Sequence, residues 1–166
     1  VQGSALTDDK GLASVNVISA NLLQNDHTYG PGFFYVTAST INENEESIST
    51  QTRVLFSGVP QLTVSPQTID IANGGSQSFR YTVMDQNGNP LAPGNNYTVS
   101  ISTSGDAEVG GDIAIQMPDT QFGSTSFHFS IVDTDAEELK PSAITATISV
   151  QGPNGRASLS ISGSTN

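Results

Sequence analysis

The chain has no cysteine, no tryptophan, two histidines, and only five lysines and arginines among its 166 residues. Each shortage removes a class of function. Without cysteine there is no disulfide, thiolate metal site or cysteine nucleophile. With so few His, Lys and Arg, the convergent titratable groups of a hydrolase pocket are hard to assemble. Sixteen acidic residues give a net charge of −11. That charge repels nucleic-acid phosphate and anionic lipid, and its plainest consequence is solubility. No apolar stretch is long enough to span a bilayer. Helical periodicity is nearly missing.

What is there is alternation and turn punctuation. In Ala13-Ser-Val-Asn-Val17 the odd positions are apolar, which predicts a strand with one buried face. Phe33, Tyr35 and Thr37 alternate with Phe34, Val36 and Ala38, predicting a strand covered on both faces. A third strand, Ile48 to Phe56, follows the polar turn Asn42-Glu-Asn-Glu-Glu46. After Gly58-Val-Pro60, where proline favours a strand boundary, about seven strands follow. They are Gln61–Ser65 with Thr68–Ile71, Ser76–Met84, Tyr97–Thr103, Asp112–Gln116, Ser124–Val132, Ala143–Val150 and Arg156–Ser162. Turns fall at Asn73-Gly-Gly75, Asn87-Gly-Asn-Pro90, Ala92-Pro-Gly94, Gly110-Gly111 and Pro153-Asn-Gly155. Asn-Gly suits tight hairpins because both central residues need positive φ. Short strands with regular turn signals predict an all-β sandwich or barrel. Its core is expected at Phe79, Tyr81, Val83, Val99, Ile101, Phe127, Phe129, Ile131, Ile144, Ala146, Ile148, Leu159 and Ile161.

The chain also repeats itself. Gly11–Val17 reads like Gly123–Phe129 at an offset of 112, Val36–Ser39 like Ile144–Thr147 at 108, and Phe56–Gly58 like Ile161–Gly163 at 105. The expected organisation is therefore a three-stranded partial module over residues 1–58, followed by a complete module over 59–166. Three strands with one apolar face are close to the minimum for independent stability. The face carrying Val15, Val17, Phe33 and Tyr35 is expected to be completed by strands upstream of Val1, by the second module, or by another copy of the chain. The first residue is not methionine, so an excised piece of an exported protein is expected. The lack of cysteine favours a bacterial source over a disulfide-bearing eukaryotic one.

Val83-Met-Asp-Gln-Asn-Gly-Asn-Pro-Leu91 resembles the V-x-D-x-x-G-N-P segment of bacterial immunoglobulin-like repeats, the modules of invasin- and intimin-type surface proteins. Thr7-Asp-Asp-Lys-Gly-Leu-Ala-Ser-Val15 resembles the T-D-x-x-G-x-A-x-V segment of the same family, and Pro118–Ser126 is a longer, less faithful version of it. The resemblance implies an immunoglobulin-like β-sandwich, one complete module preceded by a partial one. In that family the first motif precedes the second within each repeat, so the order here makes residues 1–58 the tail of a preceding repeat. The residues have turn-forming reasons of their own. The Asp85 side chain can fold back on the turn, Gly88 supplies free φ, and Pro90 fixes the exit.

Little in the sequence carries chemistry. His128 lies between Phe127 and Phe129, so alternation points it away from the core, and His27 sits in a polar loop. No P-loop, dinucleotide fingerprint or Gly-x-Ser-x-Gly elbow occurs. Asp133, Asp135, Glu137 and Glu138 gather four carboxylates after a strand. They are the candidates for calcium, the one cofactor worth weighing, against the plainer reading of a solvated acidic loop. Tyr29, Phe34 and Tyr97 are the candidate rings for a ligand platform. Asn96-Tyr-Thr98 is a formal glycosylation sequon.

The functional expectation is a non-enzymatic spacer module of a multi-repeat bacterial surface or secreted protein, adhesion-related and extracellular. Its partners would be neighbouring immunoglobulin-like modules of the same chain. The rivals are a carbohydrate- or host-protein-binding module and an accessory domain of a secreted enzyme.

Overall fold

Strands account for all the regular structure among the described residues of the computed structural model, which are 3–18, 25–118, 123–135, 137 and 140–165. The chain divides into two units, Val1–Phe56 and Ser57–Asn166.

In the first unit a short pair, β1 (Asn25–Asp26) and β2 (Gly30–Pro31), precedes a hairpin of β3 (Phe33–Ile41) and β4 (Ser47–Leu55). The loop between β3 and β4 is built on Asn42, whose Oδ1 accepts from the Asn44 and Glu46 N–H groups, each at 2.9 Å. Asp8 organises the earlier turn in the same way, accepting from Lys10 and Leu12 N–H at 2.9 Å, with Gly11 at φ 77°.

Two expectations for this unit are corrected. Residues 13–17 form no strand, and Val15 and Val17 are 57% and 45% exposed. Alternation there is real, but a strand exists only when a neighbour supplies the ladder, and among the described residues of the unit none does. Nor is β3 covered on both faces within the unit: Phe33, Phe34 and Val36 are partly buried, whereas Tyr35, Thr37 and Ala38 are exposed.

The second unit has its own core. Its strands are β5 (Pro60–Ser65), β6 (Thr68–Ile71), β7 (Ser76–Asp85), β8 (Asn96–Thr103), β9 (Ala107–Gly111), β10 (Ala114–Gln116), β11 (Ser126–Asp133), β12 (Ser142–Gly152) and β13 (Gly155–Thr165). One sheet runs β5-β7-β11-β9, the other β10-β8-β12-β13-β6. Pairing is antiparallel except between β13 and β6, which run parallel with Gly163 opposite Ile69. The chain passes from the first sheet to the second between β5 and β6, where Ser65–Pro66 is cis.

The two sheets make a β-sandwich because each presents a period-2 apolar face. Phe79, Tyr81 and Val83 of β7 meet Phe127, Phe129 and Ile131 of β11, with Phe79 stacked on Phe129 at 4.8 Å. From the other sheet come Tyr97, Val99, Ile144, Ala146, Ile148, Val150 and Ile161. Tyr97 reaches across edge-on to Phe127 at 5.3 Å. Each fully buried large side chain contributes about 1.5–3 kcal/mol before entropy is counted. Ile101 and Leu159 pack against this cluster while partly exposed. Val64, Ile69, Ile71, Leu91 and Met117 complete it from strands and loops that alternation alone did not single out.

Gly110 and Gly111 are not a turn. They end β9 opposite Ser130 and Phe129. Gly111 has φ 105°, and a Cβ there would lie 2.8 Å from the His128 carbonyl oxygen, so glycine lets the strand stay close before it leaves for β10.

The hairpins β3–β4 and β12–β13 differ in register. Val36 lies opposite Thr52, whereas Ile144 lies opposite Gly163. Phe56 donates its N–H to Gly32 O, whereas Ile161 lies opposite Ala146. The similar segments therefore do not superpose through both arms, because register is set by each hairpin's own loop: residues 42–46 in one, Pro153-Asn154 in the other.

Candidate functional site

A heavily bonded polar cluster of the second unit lies where its chain begins, at one end of the sandwich. β7 delivers Asp85 there, fully buried at 1% exposure. Its Oδ1 accepts from the N–H groups of Asn87 and Asn89, each at 2.8 Å, which closes the Asp85–Asn89 turn around Gly88 (φ 81°). Its Oδ2 accepts from Gly58 N–H at 2.9 Å. The β12–β13 turn delivers Asn154, whose Nδ2 donates to Ser57 O at 2.9 Å and Gly58 O at 2.7 Å. Asn154 Oδ1 in turn accepts from Ala92 N–H at 2.9 Å and from Asn95 Nδ2 at 2.7 Å. The Ser57 hydroxyl donates to Pro90 O. Residues 57 and 58 are thus held by both turns, which is why they belong to the second unit and the division falls before Ser57 rather than after Gly58.

Sequence reasoning found the Asp85 turn but not its grip on Gly58, and it read Asn154 only as a turn residue. The available signal was topological: two Asn-Gly turns flanking strands that end together.

The calcium candidates are spread along one loop. Asp133 is buried at 8% exposure, and its Oδ2 accepts from Gly74 N–H at 3.1 Å and its Oδ1 from Asp135 N–H at 3.2 Å. Asp135 Oδ1 accepts from Glu137 N–H at 3.1 Å, and Glu137 is exposed. Asp135 thus caps the backbone of its own loop, and Asp133 ties that loop to the β6–β7 turn. Glu138 lies outside the described residues. Among the described residues, no group of three or more His, Asp or Glu side chains is placed to hold a metal ion.

The three candidate rings do not share a surface. Tyr97 is 0% exposed, a correction to its place among the candidate platform rings: the alternation that buries Val99 buries Tyr97 with it. Phe34 stacks on Phe56 at 5.0 Å and 14°. Phe33, its neighbour along β3, points to the opposite face. There Tyr29 packs on Phe33 at 5.8 Å, and the Arg53 guanidinium sits over the Tyr29 ring at 4.0 Å and the Phe33 ring at 5.5 Å. Tyr29 is 47% exposed, so this cation–π cluster is open to solvent, as is Tyr35. Beside it, the Asp26 carboxyl is held below the usual carboxylate value by N–H groups of Tyr29 and Thr28, with His27 and Arg53 adding to the effect. His27 and His128 are both exposed.

No protein-family model matches the chain. No curated protein matches it either. Among solved structures, the chain is similar to domains 4 and 5 of the S-layer protein SbsC, with 16% identity and a TM-score of 0.44 over 97% of this chain and 94% of that one. It is also similar to the S-layer protein rSbsC(31-844), with 11% identity and a TM-score of 0.42, covering 96% of this chain and 22% of that one.

Proposed function

We propose that the chain is a structural, non-enzymatic stretch of a multi-module bacterial surface or secreted protein. In this reading residues 57–166 form one immunoglobulin-like module, and the first unit is the carboxy-terminal part of another. The observation that carries the reading is the clamp on Ser57 and Gly58 by Asp85 and Asn154. A lead-in hydrogen-bonded to its own module has fewer conformations than a free linker, which supports a spacer role. The likeness of Val83–Leu91 to adhesin repeats supports an adhesion-related role at the cell exterior. The partners would be neighbouring modules. Backbone 15N relaxation of the whole chain tests this. Order parameters of residues 57–59 should match those of β7, near 0.85, and fall in Asn154→Ala. Values below about 0.6 in the unaltered chain would mark a flexible linker and remove the spacer reading.

A further inference from the structure

The outward face of the five-stranded sheet carries hydroxyls row upon row. Ser100, Thr147 and Ser160 lie side by side, as do Ser102, Thr145 and Ser162. In those two rows the hydroxyls satisfy one another: Thr147 pairs with Ser160 and Thr145 with Ser162, each at 2.9 Å. Toward the β12–β13 turn the pattern changes. The next row is Thr98, Ser149 and Ser158, and the last is Asn96, Gln151 and Arg156. The face is concave here, with a cavity of about 680 Å³ open to solvent and lined by these six residues together with Val150 and Ala157.

The chemistry of the lining is distinct from the rest of the molecule. No acidic side chain lines it, in a chain with sixteen. Arg156 is one of three arginines. Arg53 lies over two rings, and Arg80 Nε donates to Ser126 at 2.7 Å. Arg156 is exposed and, among the described residues, its guanidinium has no such partner. A free guanidinium matches a carboxylate through two parallel N–H donors. The amides and hydroxyls beside it stand about 4.8 Å apart from strand to strand and offer both donors and acceptors. That spacing suits a ligand dense in hydroxyls. The lining has no ring for stacking.

We infer that this concavity binds an acidic saccharide, with Arg156 taking the sugar carboxylate and Asn96, Gln151, Ser149, Ser158 and Thr98 taking its hydroxyls. The negative charge elsewhere on the unit acts weakly at this site, because interactions beyond about 8 Å are screened at physiological salt. The site is shallow and exposed, so a dissociation constant on the order of millimolar is expected.

The test is a 15N-resolved NMR titration of the whole chain with trigalacturonate, and with its methyl ester, which keeps the hydroxyls and loses the charge. The expected result is saturable shifts confined to residues 96–98, 149–151 and 156–158. Affinity should fall at least about tenfold for the ester, for Arg156→Gln, and for Ser158→Glu, which sets a carboxylate in the concavity. Arg156 and Ser158 are exposed, and unperturbed resonances elsewhere would show both variants folded. Three results would overturn the proposal: no shifts at these strands, equal response to the ester, or unchanged affinity in both variants.

Discussion

The Tyr81 hydroxyl donates to the Asp112 carbonyl oxygen at 2.6 Å, while the hydroxyl of Tyr97, buried in the same core, has no hydrogen-bond partner among the described residues. The two phenols therefore differ in what they lose on becoming phenylalanine. Tyr81→Phe removes a made bond and should cost about 1 kcal/mol. Tyr97→Phe removes an unpaired buried hydroxyl and should be neutral or stabilising by up to about 1 kcal/mol. Urea midpoints at constant m-value separate the two outcomes. A large loss of stability in Tyr97→Phe would show that its hydroxyl is partnered.

The same phenols set an alkaline limit. Burial pushes Tyr97 up to about 12 from its ordinary 10.0. Burial also raises Tyr81, helped by the Asp112 charge and by Tyr97. Between the ordinary and raised values the unfolded chain has lost protons that the folded chain keeps, so stability falls as pH rises. These two groups contribute their full stabilisation below about pH 10 and lose it progressively above. Unfolding free energy measured across that range should decline, and the decline should be shallower in Tyr97→Phe.

Asp85 is the acceptor for three backbone N–H groups, those of Gly58, Asn87 and Asn89. Replacing it by alanine leaves those donors without the carboxylate in a buried turn, and a loss of about 2–4 kcal/mol is expected. Asp85→Asn keeps one acceptor and should lose less. Amide exchange of Gly58 should accelerate in both, whereas a change confined to Asn87 and Asn89 would mean that the carboxylate does not hold the lead-in.

Two strand glycines make a controlled comparison. A Cβ on Gly163 would lie 1.7 Å from the Ile69 carbonyl oxygen, a backbone atom that cannot swing away. Nothing lies within 4 Å of a Cβ on Gly110. Gly163→Ala should cost more than about 3 kcal/mol or prevent β6 from pairing, and Gly110→Ala should stay within about 1 kcal/mol of the unaltered chain. Thermal melts of the two variants decide this.

Where the sequence was legible, the reason is that one local rule matched the tertiary outcome. Phe79, Tyr81 and Val83 alternate because both sheets have one buried face, and the same rule places Phe127, Phe129 and Ile131. Tyr97 obeys it too, lying two residues before Val99 on the same face of β8. β9 was hidden because Gly110-Gly111 has turn composition, and only its partners Ser130 and Phe129 make it a strand. Residues 13–17 fail in the opposite sense, since their alternation has no partner among the described residues of the unit. The grip of Asn154 on Ser57 and Gly58 joins segments far apart in sequence, and no local pattern encodes such a meeting.

The parallel pairing of β6 with β13 has a consequence for load. β6 lies near the start of the second unit and β13 near its end, and both run the same way. Tension applied through residues 57 and 165 would draw the two strands past each other along their length. The hydrogen bonds between Thr68–Ile71 and Ser162–Thr165 would then be strained together, in shear, instead of opening one after another as in a peeled hairpin. Small side chains at the pairing, Gly163 above all, let the strands approach closely enough for that patch to bear force as a unit.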